Sequence, residues 1–492
     1  MNAIVIGAQP RPVPDGMQFV SVLTVVPLST PPPQPPPPLQ SWGAICFASP
    51  HAVHVVCKSA AWASALKSPR IYAIGERSFA LLQTYGFNPR RRADSWEALE
   101  ATLTSTQPIL FPRVQGEPDP VSRVQLHCVG VYRTVPITPL EPVDPSVRVV
   151  CALSPKATVA FMDACPSTGD DVRWVAIGPT TAAACRRLGR KRVFVASEPN
   201  LASVLEIAQR LVNPGVAVIG GGGTLGCALK EHWAHAPPLR TSTSGKPGCA
   251  LYASPDPRTL RRLASEAKVL VGAVAPIQSK FRSIGLTDCD AFYDVVRSTY
   301  MDTARDLVQT AQATGAHLVW ISSHNVYPNA DGALVDEDTP CLPPRHRTAA
   351  ILLSAERLVL QDYPNTTVLR MGWLVGTARP WSATMRKMQH VTIRGGQEQA
   401  QMNTTALADA CRIIEHVVAH RLLGVFDCAR SQGCSWRVHW APICAEHGLS
   451  EPTYDPSTED FWFEGDHRIQ STKLLRSGFE FGDVAALTKS NV

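Results

Sequence analysis

Phe47-Ala48-Ser49-Pro50 followed by Ala73-Ile74-Gly75-Glu76-Arg77-Ser78 is matched, 105 residues later, by Leu153-Ser154-Pro155 followed by Ala176-Ile177-Gly178-Pro179-Thr180-Thr181. From serine to glycine the two copies run 26 and 24 residues. A third echo, Asp94-Ser95-Trp96-Glu97-Ala98-Leu99 against Asn200-Leu201-Ala202-Ser203-Val204-Leu205, extends the match to whole structural units. Each signal is an apolar strand-like run that stops at Ser or Gly, with Pro or Thr close behind and a helical pattern after it. Such a run predicts a strand-to-helix turn, with Ser as the N-cap and Pro at the first helical position. Two similar α/β lobes facing a common cleft follow. The first N–H groups of a helix have no internal acceptor and sit at the positive end of its dipole, so four such turns can hold several carboxylates at once. Any one of the four, taken alone, reads equally as an ordinary cap.

These residues resemble the uroporphyrinogen-III synthase family over the first 213 positions. The resemblance is carried by Phe47 through Val53, the segment at Gly75, Val131-Tyr132-Arg133-Thr134-Val135-Pro136, Leu153-Ser154-Pro155, Val175 through Ala184, and Ala196-Ser197-Glu198-Pro199. It implies a cofactor-free enzyme that closes the linear tetrapyrrole hydroxymethylbilane into uroporphyrinogen III with inversion of ring D. Loss of the terminal hydroxyl gives an azafulvene cation, which is attacked from the substituted carbon of ring D to form a spiro intermediate. Positioning and preorganised dipoles are then the main task. The resemblance implies that Tyr132 assists departure of the hydroxyl as a weak general acid, and that Ser49, Gly75, Ser78, Ser154, Gly178, Thr180 and Thr181 contact substrate or cap helices. A half-buried strand tyrosine is the other reading of Tyr132. The implied partners are hydroxymethylbilane and a hand-off from hydroxymethylbilane synthase.

The front of the chain departs from the family. Ala3-Ile4-Val5-Ile6-Gly7 runs into Ala8-Gln9-Pro10 without the arginine usual at that strand's end, and only a short segment precedes Val20 through Pro27. Pro31-Pro32-Pro33-Gln34-Pro35-Pro36-Pro37-Pro38 reads as a stiff polyproline II strut between lobes, or as a docking ligand for a partner.

With 492 residues, 45% of them hydrophobic and 18% charged, the chain is long enough for two or three domains. A net charge of +6 without a long Lys/Arg block suits a polyanionic small molecule and gives no nucleic-acid signature. The 14 cysteines form no Cys-x-x-Cys pair and the 14 histidines no ligand cluster, so no metal is expected and the thiols read as reduced. No apolar run reaches membrane-span length and the N-terminus does not read as a signal peptide; a cytoplasmic protein is the expectation.

Near Pro214 a second pattern begins. Val216-Ala217-Val218-Ile219 runs into Gly220-Gly221-Gly222-Gly223-Thr224-Leu225-Gly226 and then a helical stretch. A buried strand, a glycine turn and a helix start make a dinucleotide pyrophosphate site; a tight α/β turn without cofactor uses the same residues. Further on stand Leu318 through Tyr327, Val335-Asp336-Glu337-Asp338-Thr339-Pro340 and Thr367-Val368-Leu369-Arg370-Met371-Gly372. In this order they resemble an extended or atypical short-chain dehydrogenase/reductase of the epimerase type, over residues 214 to 450. Gly220, Gly223 and Gly226, with Thr224 and Leu225 between them, match that family's cofactor turn, and Ser323 its catalytic Ser/Thr position. The family's Tyr and Lys positions hold Thr348 and Leu352. A threonine without a neighbouring cation lacks the acidity of the paired phenol, so ordinary hydride-transfer catalysis is not expected. The strand expected to carry a ribose-binding acid, Cys249 through Asp256, has none at its end, and Arg258 and Arg261 tilt the choice between NADP and NAD toward NADP.

The expected fold is α/β throughout: two Rossmann-like lobes, A (1–30 plus 147–213) and B (41–135), then a doubly wound parallel-sheet NAD(P)-binding domain over 214–492. Beside the synthase with a nucleotide-binding, catalytically reduced module stand two alternatives, an active C-terminal oxidoreductase or epimerase and a non-catalytic sensor.

Overall fold

The computed structural model describes residues 3–8, 11–28, 43–63, 66, 70–93, 96–103, 108–116, 119–138, 140, 143–144, 146–166, 168–169, 172–275, 290–341, 347–376, 385–386, 392–394, 400–455 and 466–482. The proline-rich stretch 31–38 lies outside them. The chain separates into two compact units, Met1–Val193 with Glu198–Leu201 and Phe194–Ser197 with Ala202–Val492. Sequence reading placed the boundary at 213/214, whereas the helix Leu201–Val212 clusters with the second unit. Its buried positions Val204, Ile207, Ala208 and Leu211 form one face, and Arg210 donates to the Ala419 carbonyl at 2.8 Å.

In the first unit the strands are β1 Ala3–Gly7, β2 Met17–Ser21, β3 Leu23–Pro27, β4 Ala44–Phe47, β5 Arg70–Ile74, β6 Arg91–Ala93, β7 Ile109–Val114, β8 Leu126–Pro136, β9 Val149–Ala152, β10 Arg173–Ala176 and β11 Val193–Val195. They build two sheets, ordered β11-β10-β9-β1-β2 and β3-β8-β7-β4-β5-β6. The helices are α1 Pro50–Lys58, α2 Ala60–Ala63, α3 Glu76–Thr84, α4 Trp96–Glu100, α5 Pro155–Ala164 and α6 Pro179–Arg187; α7 Leu201–Val212, next in the chain, belongs to the second unit from Ala202 onward. The repeat is now structural. Strand β4, helix α1, strand β5 and helix α3 of one sheet answer β9, α5, β10 and α6 of the other. Both strand pairs are parallel, with Phe47 opposite Ala73 and Ala152 opposite Ala176.

One lobe boundary differs from expectation. Val20 through Val26 reads as one apolar run, but the chain changes sheets at Val22: β2 pairs parallel to β1, and β3 pairs antiparallel to β8. Val22 is fully buried; its N–H donates to the Gly7 carbonyl at 2.9 Å and its carbonyl accepts from Ile137 N–H at 3.0 Å. Lobe A therefore ends before β3.

The second unit contains β12 Val216–Ile219, β13 Leu239–Ser242, β14 Ala250–Leu251, β15 Val269–Gly272, β16 His317–Ser323, β17 Ala333–Val335, β18 Thr366–Met371, β19 Trp373–Val375, β20 Thr392–Arg394, β21 Gln401–Ala406, β22 Gly424–Cys428, β23 Arg430–Ser435, β24 Thr453–Asp455 and β25 His467–Ile469. Seven of them form one sheet in the order β14-β13-β12-β15-β16-β18-β22, parallel at every pairing. The order reverses beside β12, which makes the crevice between β12 and β15 the topological switch point. Helices α8 Thr224–His232, α9 Pro257–Leu263, α10 Asp290–Thr314, α11 Arg347–Asp362 and α12 Leu407–His420 cover the two faces. The near-continuous apolar strands Val216–Ile219 and Val269–Gly272 are what a sheet buried on both sides requires. The α/β class and the doubly wound sheet thus hold.

Candidate functional site

In the first unit every predicted turn lies at the C-terminal edge of its sheet. Ser49 caps α1 and accepts from His51 N–H at 3.2 Å; Ser154 caps α5 and accepts from Ala157 N–H at 3.1 Å. Gly75 and Gly178 stand at the N-caps of α3 and α6, where no side chain caps the first turn. Each lobe therefore has one helix start closed by a serine hydroxyl and one left open by a glycine. Gly75 has φ +80°, a conformation costly for any residue with a Cβ, yet a Cβ built there meets nothing within 4 Å. The backbone, not crowding, demands the glycine.

Ser78 and Thr181 hold equivalent places, three residues past the two glycines, and are 1% and 3% exposed. The sequence reads them as substrate-contacting hydroxyls or caps, and the structure places both in buried positions of the first helical turn. Thr180 is exposed.

Tyr132 lies on β8, opposite Val114 where the register shifts between Arg113 and Val114, and its ring meets the start of α1. Its hydroxyl is 2.9 Å from Ser49 Oγ, and its ring centroid is 5.6 Å from that of His51. It is 6% exposed. Together these contacts join a predicted catalytic residue to a predicted substrate residue.

Sequence reading missed an arginine. The chain leaves β1 and reaches Arg11-Pro12 four residues beyond Gly7, not at the strand's end. Arg11 has its pKa lowered by burial and then by Arg77, and His51 is lowered by burial, Arg77, Arg11 and His54. Such mutual effects require the groups to be neighbours. Arg11 leaves the C-terminal edge of the first sheet, whereas Arg77 and His51 sit at that edge of the second, and the charge of Arg77 bears on both Arg11 and His51. Among the described residues neither Arg11 nor Arg77 has a carboxylate partner. The signal that would have found Arg11 is the Arg-Pro pair itself, displaced along the chain.

In the second unit Gly220 has φ +81°, and a Cβ there would lie 2.4 Å from the carbonyl oxygen of Ala273, the residue after β15. A Cβ on Gly226 would lie 2.3 Å from Gly221 Cα, so helix α8 packs directly on the turn. Gly223 is the N-cap of α8 with no side-chain cap, and its only close neighbour at the Cβ position is the Gly220 carbonyl at 3.4 Å. Tight packing behind and open N–H groups in front are the fit a dinucleotide pyrophosphate needs. Leu225 is buried, while Thr224 begins the helix.

At the end of β16, Ser323 spends its hydroxyl oxygen on Asn325 N–H at 3.3 Å. Leu352, at the family's lysine position, is 5% exposed in the same apolar cluster as Val326 and Tyr327. Tyr327 is fully buried, and burial followed by the Asp427 charge pushes its phenol up. His324 and His467 contact each other at 3.0 Å, and burial drives them down to about 3 and about 4. Glu356 pairs with Arg370 at 2.8 Å and accepts from Ser322 at 2.5 Å, a buried structural network.

The strand beside β12 is β13, ending at Ser242, and β14 lies one further out. Sequence reading took Cys249–Asp256 as the ribose strand because Leu239-Arg240-Thr241-Ser242 is too polar to stand out. Arg258 and Arg261 belong to α9, whose N-cap is Asp256, and are exposed.

Among the described residues no group of three or more His, Cys, Asp or Glu is placed to hold a metal ion, and no helix is long and apolar enough to cross a membrane.

Residues 18–206 match the family model of uroporphyrinogen-III synthase HemD, and residues 293–466 match that of the RmlD substrate binding domain. The glycine turn falls between the two matches. Similar solved structures include dTDP-4-dehydrorhamnose reductase of Clostridium acetobutylicum (19% identity, TM-score 0.43, 53% of this chain and 91% of that one). The Bacillus anthracis enzyme in complex with NADP gives 18%, 0.43, 54% and 92%. A Thermus thermophilus UDP-glucose 4-epimerase complex with NAD gives 16%, 0.45, 56% and 96%. No curated protein matches.

Proposed function

We propose, from the premise that the chain joins a uroporphyrinogen-III synthase domain to a short-chain-dehydrogenase-like one, that the first closes hydroxymethylbilane to uroporphyrinogen III and the second binds a dinucleotide without ordinary redox turnover. The observation that carries the first part is the group of Arg11, Arg77 and His51 beside the glycine-opened start of α3, matched in the other lobe by a second glycine-opened start at Gly178. Uncompensated cations and unsatisfied amides at one edge favour an octacarboxylate, and holding its carboxylates fixes the curl in which ring D inverts. No cofactor is required for that closure.

Tyr132 acts at the departing hydroxyl. His51 N–H donates to Ser49 Oγ, and when Ser49 is the donor of its 2.9 Å bond to Tyr132 the phenol oxygen is the acceptor. Each bond polarises the next, so the start of α1 strengthens the phenol as a donor. Departure of water leaves the azafulvene cation, and the surrounding carboxylates of the bound bilane balance its charge.

In the second domain Gly220, Gly223 and the first turn of α8 would hold the pyrophosphate of a nicotinamide dinucleotide, which when bound supplies a hydride acceptor or donor. Ser323, Thr348 and Leu352 offer no acid of suitable pKa beside it. A hand-off from hydroxymethylbilane synthase and a cytoplasmic site of action accompany this reading.

The deciding experiment supplies freshly made hydroxymethylbilane to the full chain, oxidises the products and separates the porphyrin isomers. Isomer III above the spontaneous isomer I background is expected. Isomer I alone would retire the synthase reading in favour of a sensor.

A further inference from the structure

We infer that the loop following β13 selects the 2′-phosphate of an NADP-type dinucleotide, an inference that rests on reading Gly220–Gly226 as a dinucleotide turn. In a doubly wound sheet the ribose next to the adenine lies at the end of the strand adjoining the glycine turn, where a carboxylate recognises the free diol of NAD. Here that strand is β13, and it ends Arg240-Thr241-Ser242 and continues Thr243-Ser244-Gly245-Lys246 with no acid. The diol of NAD finds no carboxylate there.

A phosphate finds a prepared set. Ser242 Oγ and Ser244 Oγ lie 3.3 Å apart, and Ser244 N–H donates to Ser242 Oγ at 3.2 Å, so the two hydroxyls share one corner. Lys246 Nζ donates to the Gly222 carbonyl at 2.8 Å, and the same side chain would stand 3.0 Å from a Cβ on Gly222. The ammonium is thereby pinned over the glycine turn. Beneath it Arg240 is 6% exposed; it donates to the Gly221 carbonyl at 3.2 Å and the Gly248 carbonyl at 3.4 Å. Among the described residues neither cation has a carboxylate partner. A buried guanidinium facing two carbonyl oxygens and the Cys227 sulfur, at 3.5 Å, leaves its charge uncompensated, which an arriving dianion corrects. Arg240 positions the corner from below; Ser242, Ser244 and Lys246 line it.

The test titrates the full chain with NADPH and NADH, following nicotinamide fluorescence and calorimetry. NADPH binds about tenfold or more tighter, as expected for charge-assisted bonds to a phosphate. Lys246→Gln removes most of that preference while changing NADH affinity by no more than about twofold. Ser244→Asp, at an exposed site, reverses the preference, and thermal melts confirm that both variants fold. Equal affinity for the two dinucleotides, or equal weakening of both by Lys246→Gln, overturns the selection while leaving the glycine turn intact. Failure of either dinucleotide to bind at about millimolar concentration overturns the turn and the selection together.

Discussion

Replacing Tyr132 by Phe removes one oxygen and keeps the ring. The ring's packing in the cluster with Phe47, Val53 and Leu110 survives, so the stability cost is that of one hydrogen bond, about 1 kcal/mol. Ser49 Oγ still accepts from His51 N–H at 3.2 Å, so α1 stays capped. The catalytic cost is larger, because a positioned general acid contributes about 10²- to 10⁴-fold. Turnover should therefore fall about a hundredfold or more in kcat, with KM almost unchanged, since the phenol does not bind a carboxylate. Ser49→Ala serves as its partner: it removes the group that polarises the phenol and uncaps α1, costing about 1 kcal/mol in stability. The double variant should lose little beyond Tyr132→Phe alone, because the two hydroxyls act as one chain. Initial rates of isomer III formation, corrected for spontaneous isomer I, give all three numbers. A Tyr132→Phe enzyme within twofold of the parent would refute the assignment and return Tyr132 to a packing role.

Arg77→Gln should raise KM for hydroxymethylbilane about three- to tenfold with little effect on kcat, and the difference should shrink above about 0.5 M salt; a salt-independent loss would contradict a charge role. Gly226→Ala should lower the stability of the second unit by about 3 kcal/mol and abolish dinucleotide binding, because its Cβ would meet Gly221 backbone at 2.3 Å; an unchanged melt refutes the close packing. The pH dependence follows from buried groups. His317 and His467 are lowered to about 4, and His324 and His416 to about 3, all by burial first, whereas burial raises Asp427 to about 8. Below the ordinary histidine pKa of about 6.5 the unfolded chain binds protons that the folded one refuses, so the histidines lose stability as pH falls from about 6.5 toward 4, up to about 1.4 kcal/mol per pH unit each. Asp427 works oppositely, losing stability as pH rises from about 4 toward 8. With four histidines against one aspartate, denaturant melts at pH 7 and pH 5 should show lower stability at pH 5, and Asp427→Asn should gain at pH 8; a flat profile refutes both.

The repeat was legible because its punctuation is local. Ser49 and Ser154 must cap, Gly75 and Gly178 must open a helix, and the spacing of 26 and 24 residues equals the register offset of Phe47 with Ala73 and of Ala152 with Ala176. The glycine turn was legible for the same reason: Gly220 and Gly226 are fixed by close backbone approach. Less visible were features set by tertiary context. The change of sheet at Val22 hides in a run, Val20 through Val26, in which Ser21 and Thr24 are the only polar residues and no Gly or Pro marks a break. The second Rossmann strand carries a buried Arg240, which breaks the apolar pattern, and Arg11 sits beyond its strand on an irregular detour. Burial of Ser78 and Thr181 depends on which side of a first helical turn meets the sheet, and two adjacent hydroxyls give no hint of that.

Val22 gives the first unit a mechanical property. The outgoing passage between sheets is tied at Val22 to Gly7 on one side and to Ile137, on the returning passage, on the other. Both covalent links are thus stapled into a single spine, like the binding of a book. Any opening of the two leaves must turn about that spine, and twisting them out of register would tear the staple. On the proposed synthase reading, a flexible guest gripped at both margins would then be folded along one axis only.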